Sequence, residues 1–183
     1  MKLISVNVGQ PRLVDYDGRR ISTGIFKNAL EGTVQVGRLN LAGDRQADLR
    51  VHGGERKAVY LYPSEHYEYW RAELRAVDLP WGAFGENLTT EGLLENEVRS
   101  GDRLLIGTVE FAVTTPRYPC FKLGIRFGRT DVIRRFAKSG RSGFYLSVVR
   151  TGEIGPGDEI EHIPAGRGQT MFTTFTNRMT KAG

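Results

Sequence analysis

Cysteine is almost absent from this 183-residue sequence, in which Cys120 is the single example. One cysteine cannot form an internal disulfide, and it excludes zinc and iron–sulfur sites that need several thiolates. A chain of this length can bury a sizeable core, so we expect one domain that needs no disulfide or structural metal. The expected compartment is the reducing cytoplasm.

Long apolar runs and several catalytic motifs are also missing. Residues 1–9 (MKLISVNVG) lack the apolar stretch of a signal peptide, and no run is long enough to cross a membrane. The sequence has no GxSxG or SxxK serine motif and no Walker A loop. These absences argue against a membrane partner, a serine hydrolase of those types and a P-loop nucleotide hydrolase.

The excess of positive charge is small, and much of it lies at the end of the chain. The formal net charge is +5, and residues 165–183 hold three of the 26 Lys and Arg residues and none of the 21 acidic ones. Residues 1–164 are therefore close to neutral. Nucleic-acid binding is not expected, because it would rest on this tail alone, but a basic pocket for a phosphorylated small molecule stays open.

Glycine is abundant, with 23 residues, and it separates short runs rich in Val, Ile, Leu, Tyr and Phe. Such punctuation predicts many short strands joined by tight turns. A hairpin is predicted around Asp17-Gly18, and further strands are predicted within residues 2–9, 32–41, 57–62, 86–90, 102–107, 109–115, 143–152 and 157–163. The expected fold class is mainly β, a mostly antiparallel closed barrel over residues 1–164 followed by a basic, weakly structured tail over 165–183.

Only two segments have a clear helical pattern. From Pro63, PSEHYEYWRAELRAV places its large apolar side chains on one helical face. From Thr130, TDVIRRFAKSG does the same, with Thr130 as a cap and Gly140 as a stop. The two helices do not alternate with strands, so they are expected at the periphery of the barrel.

The three histidines do not form a metal-ligand pair. His66 and His162 are predicted to be solvated surface residues. His52 opens the segment HGGERK, in which Gly53 and Gly54 allow close approach of a ligand to the backbone and Lys57 can meet an anion. The alternative interpretation is a tight turn between strands.

The thiol of Cys120 lies in the stiff and basic segment TTPRYPCFKLG. Two prolines favour an extended backbone before it. Arg117 and Lys122 favour its thiolate form, as would a helix beginning after it. A buried structural cysteine is an equally good interpretation from the residues alone, because free cysteine is among the most buried residue types.

Five segments, in order, resemble the MOSC domain family, whose name comes from the C-terminal domain of molybdenum-cofactor sulfurases. They are GDRQADLRVHGGERKAVYLYPSEHY, GAFGENLTTEGL, VRSGDRLLIG, VTTPRYPCFKLGIRFG and SGRSGFYLSVV. The likeness runs from about Gly43 to Ile160 and is greatest to stand-alone bacterial members of the YiiM-like type. It implies a β-barrel of the pyruvate-kinase-barrel-like kind with a few helices.

The resemblance also implies a function. Catalytic members reduce N-hydroxylated compounds, such as hydroxylaminopurine-type bases and amidoximes, at a molybdenum centre held by a pterin cofactor. Cys120 matches the family's cysteine, which is the proposed molybdenum ligand or sulfur carrier. The implied cofactor-binding residues are His52, Gly53, Gly54, Lys57, Gly85, Asn87, Arg117, Lys122 and Arg141. Pyridoxal phosphate binding is a further expected property.

Two functions use the same cysteine and stay open. One is a molybdenum-dependent reductase, which needs an external electron-donor protein because the sequence has no flavin, haem or iron–sulfur motif. The other is a carrier of persulfide sulfur or of the molybdenum cofactor, without turnover. A homodimer is compatible with either function.

Overall fold

The structure is a computed structural model that describes residues 1–47, 53–75 and 77–181. The described residues form strands β1 (Lys2–Val8), β2 (Arg12–Tyr16), β3 (Arg19–Thr23), β4 (Asn28–Leu30), β5 (Val34–Val36), β6 (Val59–Pro63), β7 (Leu88–Glu91), β8 (Arg103–Ile106), β9 (Val109–Pro116), β10 (Phe144–Arg150), β11 (Gly152–Ile154) and β12 (Ile160–Ile163). Each predicted strand segment overlaps one of them, and β4 and β11 were not predicted separately. The mainly β prediction is therefore confirmed.

Eight of these strands form one mixed sheet in the order β12-β8-β9-β10-β6-β7-β1-β4. Its neighbours are antiparallel except for β6 and β7, which run parallel. Parallel neighbours need a long crossover, and residues 64–87, which include a helix, supply it. Strands β5 and β11 form a separate pair, and β2 and β3 form the predicted hairpin, with positive φ at Asp17 (51°) and Gly18 (69°).

Closure of the barrel is not confirmed. Strands β4 and β12 are the outer members of the sheet order. The chain around the start of β12 returns to the start of β1 through one bridge between Lys2 and Glu159 and three backbone hydrogen bonds. The Leu3 amide donates to the Asp158 carbonyl at 2.9 Å, the Gly157 amide to the Leu3 carbonyl at 2.7 Å, and the Ile160 amide to the Met1 carbonyl at 2.9 Å. These contacts do not extend into a ladder among the described residues, so the sheet is bent back on itself without continuous strand pairing.

Four α-helices accompany the sheet: α1 (His66–Glu73), α2 (Phe121–Phe127), α3 (Asp131–Ser139) and α4 (Met171–Lys181). The two predicted helices are α1 and α3, although α1 begins after Pro63, which belongs to β6. A 3-10 turn at Glu55–Lys57 precedes β6. None of the described helices is long and apolar enough to span a membrane.

The expectation of a weakly structured tail is wrong for residues 171–181, which form α4. Met171 and Phe175 are fully buried, and the Met171 amide donates to the Val98 carbonyl at 2.8 Å. The apolar residues Met171, Phe175 and Met179 are spaced by four, as on one face of a helix, but four threonines obscure this pattern. The division of the chain into domains at residue 164 stays a prediction.

The core has two parts. An aliphatic cluster, mostly Val, Leu and Ile, fills the space enclosed by the sheet. An aromatic cluster lies between the sheet and the helices, and Tyr62, Trp70, Phe84 and Phe136 are at its centre. Because aromatic side chains are large and rigid, this second cluster fixes the positions of the segments around Cys120.

His66 and His162 were expected at the surface, but both are packed against carboxylates. His66 is buried, with Nε2 2.8 Å from Oε2 of Glu95, which also accepts the Gly143 amide at 2.6 Å. His162 Nε2 lies 2.9 Å from Oδ2 of Asp102. Both histidines hold the fold together at points where distant segments meet.

Candidate functional site

The candidate site is a pocket at the point where the chain leaves β9. Segments 23–27, 44–47, 84–87 and 117–122 surround it, together with side chains from β6 and β10. Its lining residues are Thr23, Gly24, Ile25, Lys27, Asp44, Arg45, Gln46, Ala47, Lys57, Tyr60, Phe84, Gly85, Asn87, Arg117, Tyr118, Cys120, Lys122 and Tyr145. The pocket therefore brings Cys120 together with four side chains that were predicted to bind a cofactor, those of Lys57, Asn87, Arg117 and Lys122.

Cys120 lies in the wall of this pocket and is partly exposed. It has an extended backbone (φ −139°, ψ 170°) and immediately precedes α2, whose first turn is joined to it by a bond from the Leu123 amide to the Cys120 carbonyl at 3.0 Å. The extended backbone at the thiol is as expected, whereas α2 was not among the two predicted helices. Because Cys120 is only partly buried and lines the pocket, the structure does not support its interpretation as a fully buried structural cysteine.

Arg117 is the most unusual side chain of the pocket. It is only 6% exposed, and its Nη1 atom has no hydrogen-bond partner among the described residues. Its guanidinium carbon lies 5.4 Å from the centre of the Tyr60 ring and 4.9 Å from that of Phe136. A buried, unpartnered donor of this kind is costly unless a ligand accepts from it.

The ionisation of Arg117 is set by its surroundings. Burial alone would lower the pKa of Arg117, but the negative charges that Tyr60, Tyr145 and Cys120 carry once they are ionised oppose this effect and raise the pKa overall. The same burial raises the pKa of Tyr60 and of Tyr145. Arg117 therefore stays cationic, and the two tyrosines stay neutral.

Other charges give the pocket a positive potential. Lys57 and Lys122 are half-buried in its wall, and Arg45 is exposed at its edge. Lys27 is also present, but it is ion-paired with the buried Asp44. Five cationic side chains thus share the pocket with one carboxylate, which favours an anionic ligand.

Gly85 and Asn87 form part of the pocket wall, but their polar groups already have partners. The Gly85 amide donates to the Gly82 carbonyl at 2.9 Å, and the Asn87 amide donates to the Tyr60 carbonyl at 2.8 Å. The Asn87 side chain accepts from the Tyr60 amide at 3.1 Å and donates to Oδ2 of Asp44 at 2.9 Å. These residues shape the pocket and connect its opposite walls.

Glu86, which sequence reasoning missed, holds the same loop from inside. Its buried carboxyl accepts from the amides of Gly82 (2.8 Å) and Phe84 (3.0 Å) and from the hydroxyl of Tyr67. Burial raises the pKa of Glu86. Sequence reasoning also missed Tyr60, Tyr145 and Asp44, because strand tyrosines and a turn aspartate look structural in a linear sequence.

Three of the four remaining predicted residues do not line the pocket, and the fourth is not described. Gly53 and Gly54 precede the 3-10 turn and do not line the described pocket. Arg141 is also outside its lining: the guanidinium packs 3.9 Å from the Tyr69 ring, and Nη1 donates to the Ser139 carbonyl at 3.2 Å. His52 lies outside the described residues.

The pocket chemistry fits a group that combines anionic oxygens with a metal that prefers sulfur. The unsatisfied donor of Arg117 suits an oxygen anion such as a phosphate, and a nearby lysine adds a point charge. The thiolate of Cys120 is a soft ligand. The residues present therefore fit a phosphate-bearing cofactor with a soft metal.

The fold and the site together define a mainly β protein with its single cysteine in the wall of a cationic pocket. Comparison with known families assigns the class more closely: the model of the MOSC domain matches residues 48–161. The chain belongs to the MOSC domain family, and it is of the stand-alone bacterial YiiM-like type.

Several relatives support this membership. Protein YflK of Bacillus subtilis is 40% identical over 177 residues, which are 97% of this chain and 79% of YflK. Protein YiiM of Escherichia coli is 37% identical over 141 residues, which are 76% of this chain and 63% of YiiM. A protein of Gibberella moniliformis named a reductase is 38% identical over 146 residues, 78% of this chain but only 26% of that protein.

Solved structures agree with the sequence comparisons. YiiM from Geobacillus stearothermophilus superimposes with a TM-score of 0.80 at 31% identity, over 98% of this chain and 84% of that one. YiiM from Escherichia coli gives a TM-score of 0.74 at 28% identity, over 96% of this chain and 76% of that one. The fold is therefore shared along nearly the whole of this chain.

Proposed function

We propose that this protein binds a molybdenum cofactor of the molybdopterin type and serves as a reductase of N-hydroxylated compounds, with Cys120 as the metal ligand. The observation that carries the proposal is the pairing of an accessible thiol with the buried, unsatisfied Nη1 atom of Arg117 in one cationic pocket. The family membership and the fungal relative named a reductase support the same chemistry.

Arg117 is the main anchor in this proposal. Its guanidinium donates from Nη1 to an anionic oxygen of the cofactor's phosphate, since no described residue accepts from that atom. Lys57 and Lys122 add positive potential from the pocket wall. The contacts between Arg117 and the rings of Tyr60 and Phe136 hold the guanidinium in place without using its Nη1 donor.

Cys120 supplies the sulfur ligand. The cationic pocket favours the thiolate, which is the form that binds a metal. When bound, the cofactor supplies the two-electron redox chemistry of the reduction. Conversion of an N–OH group to N–H consumes two electrons and two protons and releases the oxygen as water, so an external donor must provide the electrons.

The substrate enters through the open side of the pocket, where Arg45 is exposed. Hydroxylaminopurine-type bases and amidoximes are flat, and the half-buried ring of Tyr145 in the pocket lining is an aromatic surface of matching shape. The neutral hydroxyls of Tyr60 and Tyr145 add no negative charge that would oppose an anionic cofactor. Pyridoxal phosphate binding and homodimer formation stay predictions.

The test is molybdenum content by mass spectrometry, on protein made in cells competent for cofactor synthesis. Wild type is compared with Cys120→Ala and with Lys138→Ala, an exposed residue of α3 that serves as the matched control. We expect near-stoichiometric molybdenum in wild type and control and its loss in Cys120→Ala. With an artificial electron donor, reduction of an amidoxime should be observed in the proteins that contain molybdenum and not in Cys120→Ala.

Two results would contradict the proposal. Equal molybdenum in wild type and Cys120→Ala would remove the cysteine from the role of ligand. A metal-free wild type that carries an added sulfur atom on Cys120 would favour the carrier function instead.

A further inference from the structure

The turn at residues 141–143, between α3 and β10, contacts Arg117 by two routes. The Gly143 carbonyl accepts from the Arg117 amide at 3.3 Å. The Ser142 carbonyl accepts from the Tyr60 hydroxyl at 2.8 Å, and the centre of the Tyr60 ring lies 5.4 Å from the guanidinium carbon of Arg117. The turn therefore holds the backbone of Arg117 directly and its guanidinium through Tyr60.

Gly143 packs too closely on its neighbours for the turn to move independently of them. Its φ is 59°, and a Cβ atom at this position would lie 2.4 Å from the Leu61 carbonyl oxygen and 2.9 Å from Cε2 of Tyr60. Because packed atoms cannot overlap, the position of the Tyr60 ring depends on that of Gly143. A displacement of the turn would thus displace the ring against which the guanidinium packs.

A buried carboxylate holds the amide of Gly143. Oε1 of Glu95 accepts from that amide at 2.6 Å, and Glu95 is only 3% exposed. Glu95 lies between β7 and β8, 48 positions before Gly143 in the chain. His66 fixes the carboxylate in turn, since its Nε2 atom lies 3.0 Å from Oε1 and 2.8 Å from Oε2. The turn is therefore tied to a buried pair of side chains behind the pocket.

We propose that Glu95 is a positioning residue of the anion site, which holds Arg117 where its Nη1 atom can donate to an oxyanion. This inference rests on the proposed function, in which Arg117 anchors the phosphate of the cofactor. Glu95 is not among the residues that line the pocket, so it acts through Gly143 and Tyr60. A binding side chain must be held within about 0.5 Å of its productive position, and Glu95 supplies part of that support.

A similar carboxylate elsewhere in the fold provides a matched comparison. Asp102 is 1% exposed, accepts from the Gly166 amide at 2.7 Å and lies 2.9 Å from Nε2 of His162. None of these three residues lines the pocket. Asp102 and Glu95 thus share burial, an amide donor and a histidine, but only Glu95 is connected to Arg117.

The test measures the affinity of the full-length protein for inorganic phosphate by isothermal titration calorimetry, and its stability by urea denaturation. Glu95→Leu removes the acceptor of the Gly143 amide and keeps a buried side chain of comparable size. Glu95→Gln keeps an acceptor oxygen and removes the charge. Asp102→Leu is the control for loss of a buried carboxylate away from the pocket.

We expect Glu95→Leu to bind phosphate at least tenfold more weakly than wild type, because loss of the partner that orients a ligand costs about 10- to 100-fold in metal sites. Glu95→Gln should stay within about threefold of wild type, since the Gly143 amide keeps an acceptor. Asp102→Leu should lose stability but keep the phosphate affinity of wild type.

Tyr60→Phe tests the second route with a smaller change, and it applies even if Glu95→Leu does not fold. The ring beside Arg117 is retained, and only the bond to the Ser142 carbonyl is lost. We expect phosphate binding at least about threefold weaker than that of wild type, within the range that one hydrogen bond contributes.

Three results would overturn the inference while wild type still binds phosphate. Glu95→Leu or Tyr60→Phe could bind phosphate as tightly as wild type, which would make these contacts structural only. Glu95→Gln could lose as much affinity as Glu95→Leu, which would trace the effect to charge. Asp102→Leu could lose the same affinity, which would trace it to general destabilisation.

The proposed function fails separately. Wild-type protein that binds phosphate but contains no molybdenum would count against the proposed function alone. Wild-type protein that binds no phosphate would overturn the anion site and this inference together.

Discussion

Replacement of Arg117 by methionine should separate ligand binding from stability. Methionine replaces the inner part of the arginine side chain, is apolar and adapts its shape to a buried position. The change removes a guanidinium whose Nη1 atom has no described partner, while the backbone bond from the Arg117 amide to the Gly143 carbonyl at 3.3 Å is retained. We therefore expect a stable protein that has lost its affinity for anions.

The effect on stability follows from two opposing contributions. An unsatisfied buried donor costs about 1–3 kcal/mol, and Arg117→Met removes that cost. The variant also loses the contacts with the Tyr60 and Phe136 rings, for which about 0.5–2 kcal/mol is typical. These contributions nearly cancel, so the free energy of unfolding should change by less than about 1.5 kcal/mol, whereas loss of a well-packed core side chain costs about 2–5 kcal/mol.

The effect on binding should be much larger. A hydrogen bond to a charged group contributes about 1.5–3 kcal/mol, which corresponds to roughly 10- to 150-fold in the dissociation constant. Urea denaturation measures the stability, and isothermal titration calorimetry with inorganic phosphate as the probe measures the binding. Arg117→Lys keeps a positive charge but not the planar fork of donors, so it should give an intermediate loss.

The reasoning would be refuted if Arg117→Met lowered the free energy of unfolding by more than about 3 kcal/mol and left the phosphate affinity unchanged. Arg117 would then be a structural residue. Wild-type protein that binds no phosphate would refute the anion site itself. Lys138→Met, on the exposed side of α3, is the control and should change neither quantity.

Two further predictions concern segments that support the site. Phe175→Ala should destabilise the protein by about 3–5 kcal/mol, because Phe175 is fully buried and its ring centre lies 5.6 Å from that of Tyr118 in the pocket. The control is Phe172→Ala, at a position that is 44% exposed, which should lower the melting temperature far less in a thermal melt. Burial opposes the ionisation of Asp102, but hydrogen bonds from backbone amides and from His162 lower its pKa overall. The ionised carboxylate therefore stabilises the fold above about pH 4, and this contribution to stability is lost as the pH falls further. Urea denaturation of wild type and Asp102→Asn should thus show a stability difference at pH 7 that shrinks at pH 3; a constant difference would contradict it.

Local chemistry determined much of the fold. Short β-rich runs and glycine turns located the strands, since alternation and turn residues act within a few positions of the chain. The hairpin at Asp17-Gly18 and helices α1 and α3 were equally readable. Helix α4 was not, because its apolar residues lie among threonines and it gains stability from docking through Met171 and Phe175.

Tertiary structure decided how the strands associate. Neither the parallel pairing of β6 with β7 nor the partial return of β12 to β1 has a local signature, since strand order depends on contacts between distant segments. The histidines show the same limit. His66 looked solvated between glutamates, but the fold places it against Glu95, which is 29 positions away.

The functional site shows the same difference between what the local sequence predicts and what the tertiary structure decides. The sequence alone determined that Cys120 is the only thiol and that it lies in a stiff segment between Arg117 and Lys122, because proline and charge act on their neighbours. Only the tertiary structure decided that Arg117 is buried with an Nη1 donor that has no partner among the described residues. It also decided that Tyr60 and Tyr145 stand beside Arg117 and that Arg141 packs elsewhere. The sequence gives the charge of a side chain directly, whereas its burial and its partners depend on residues that are far away along the chain.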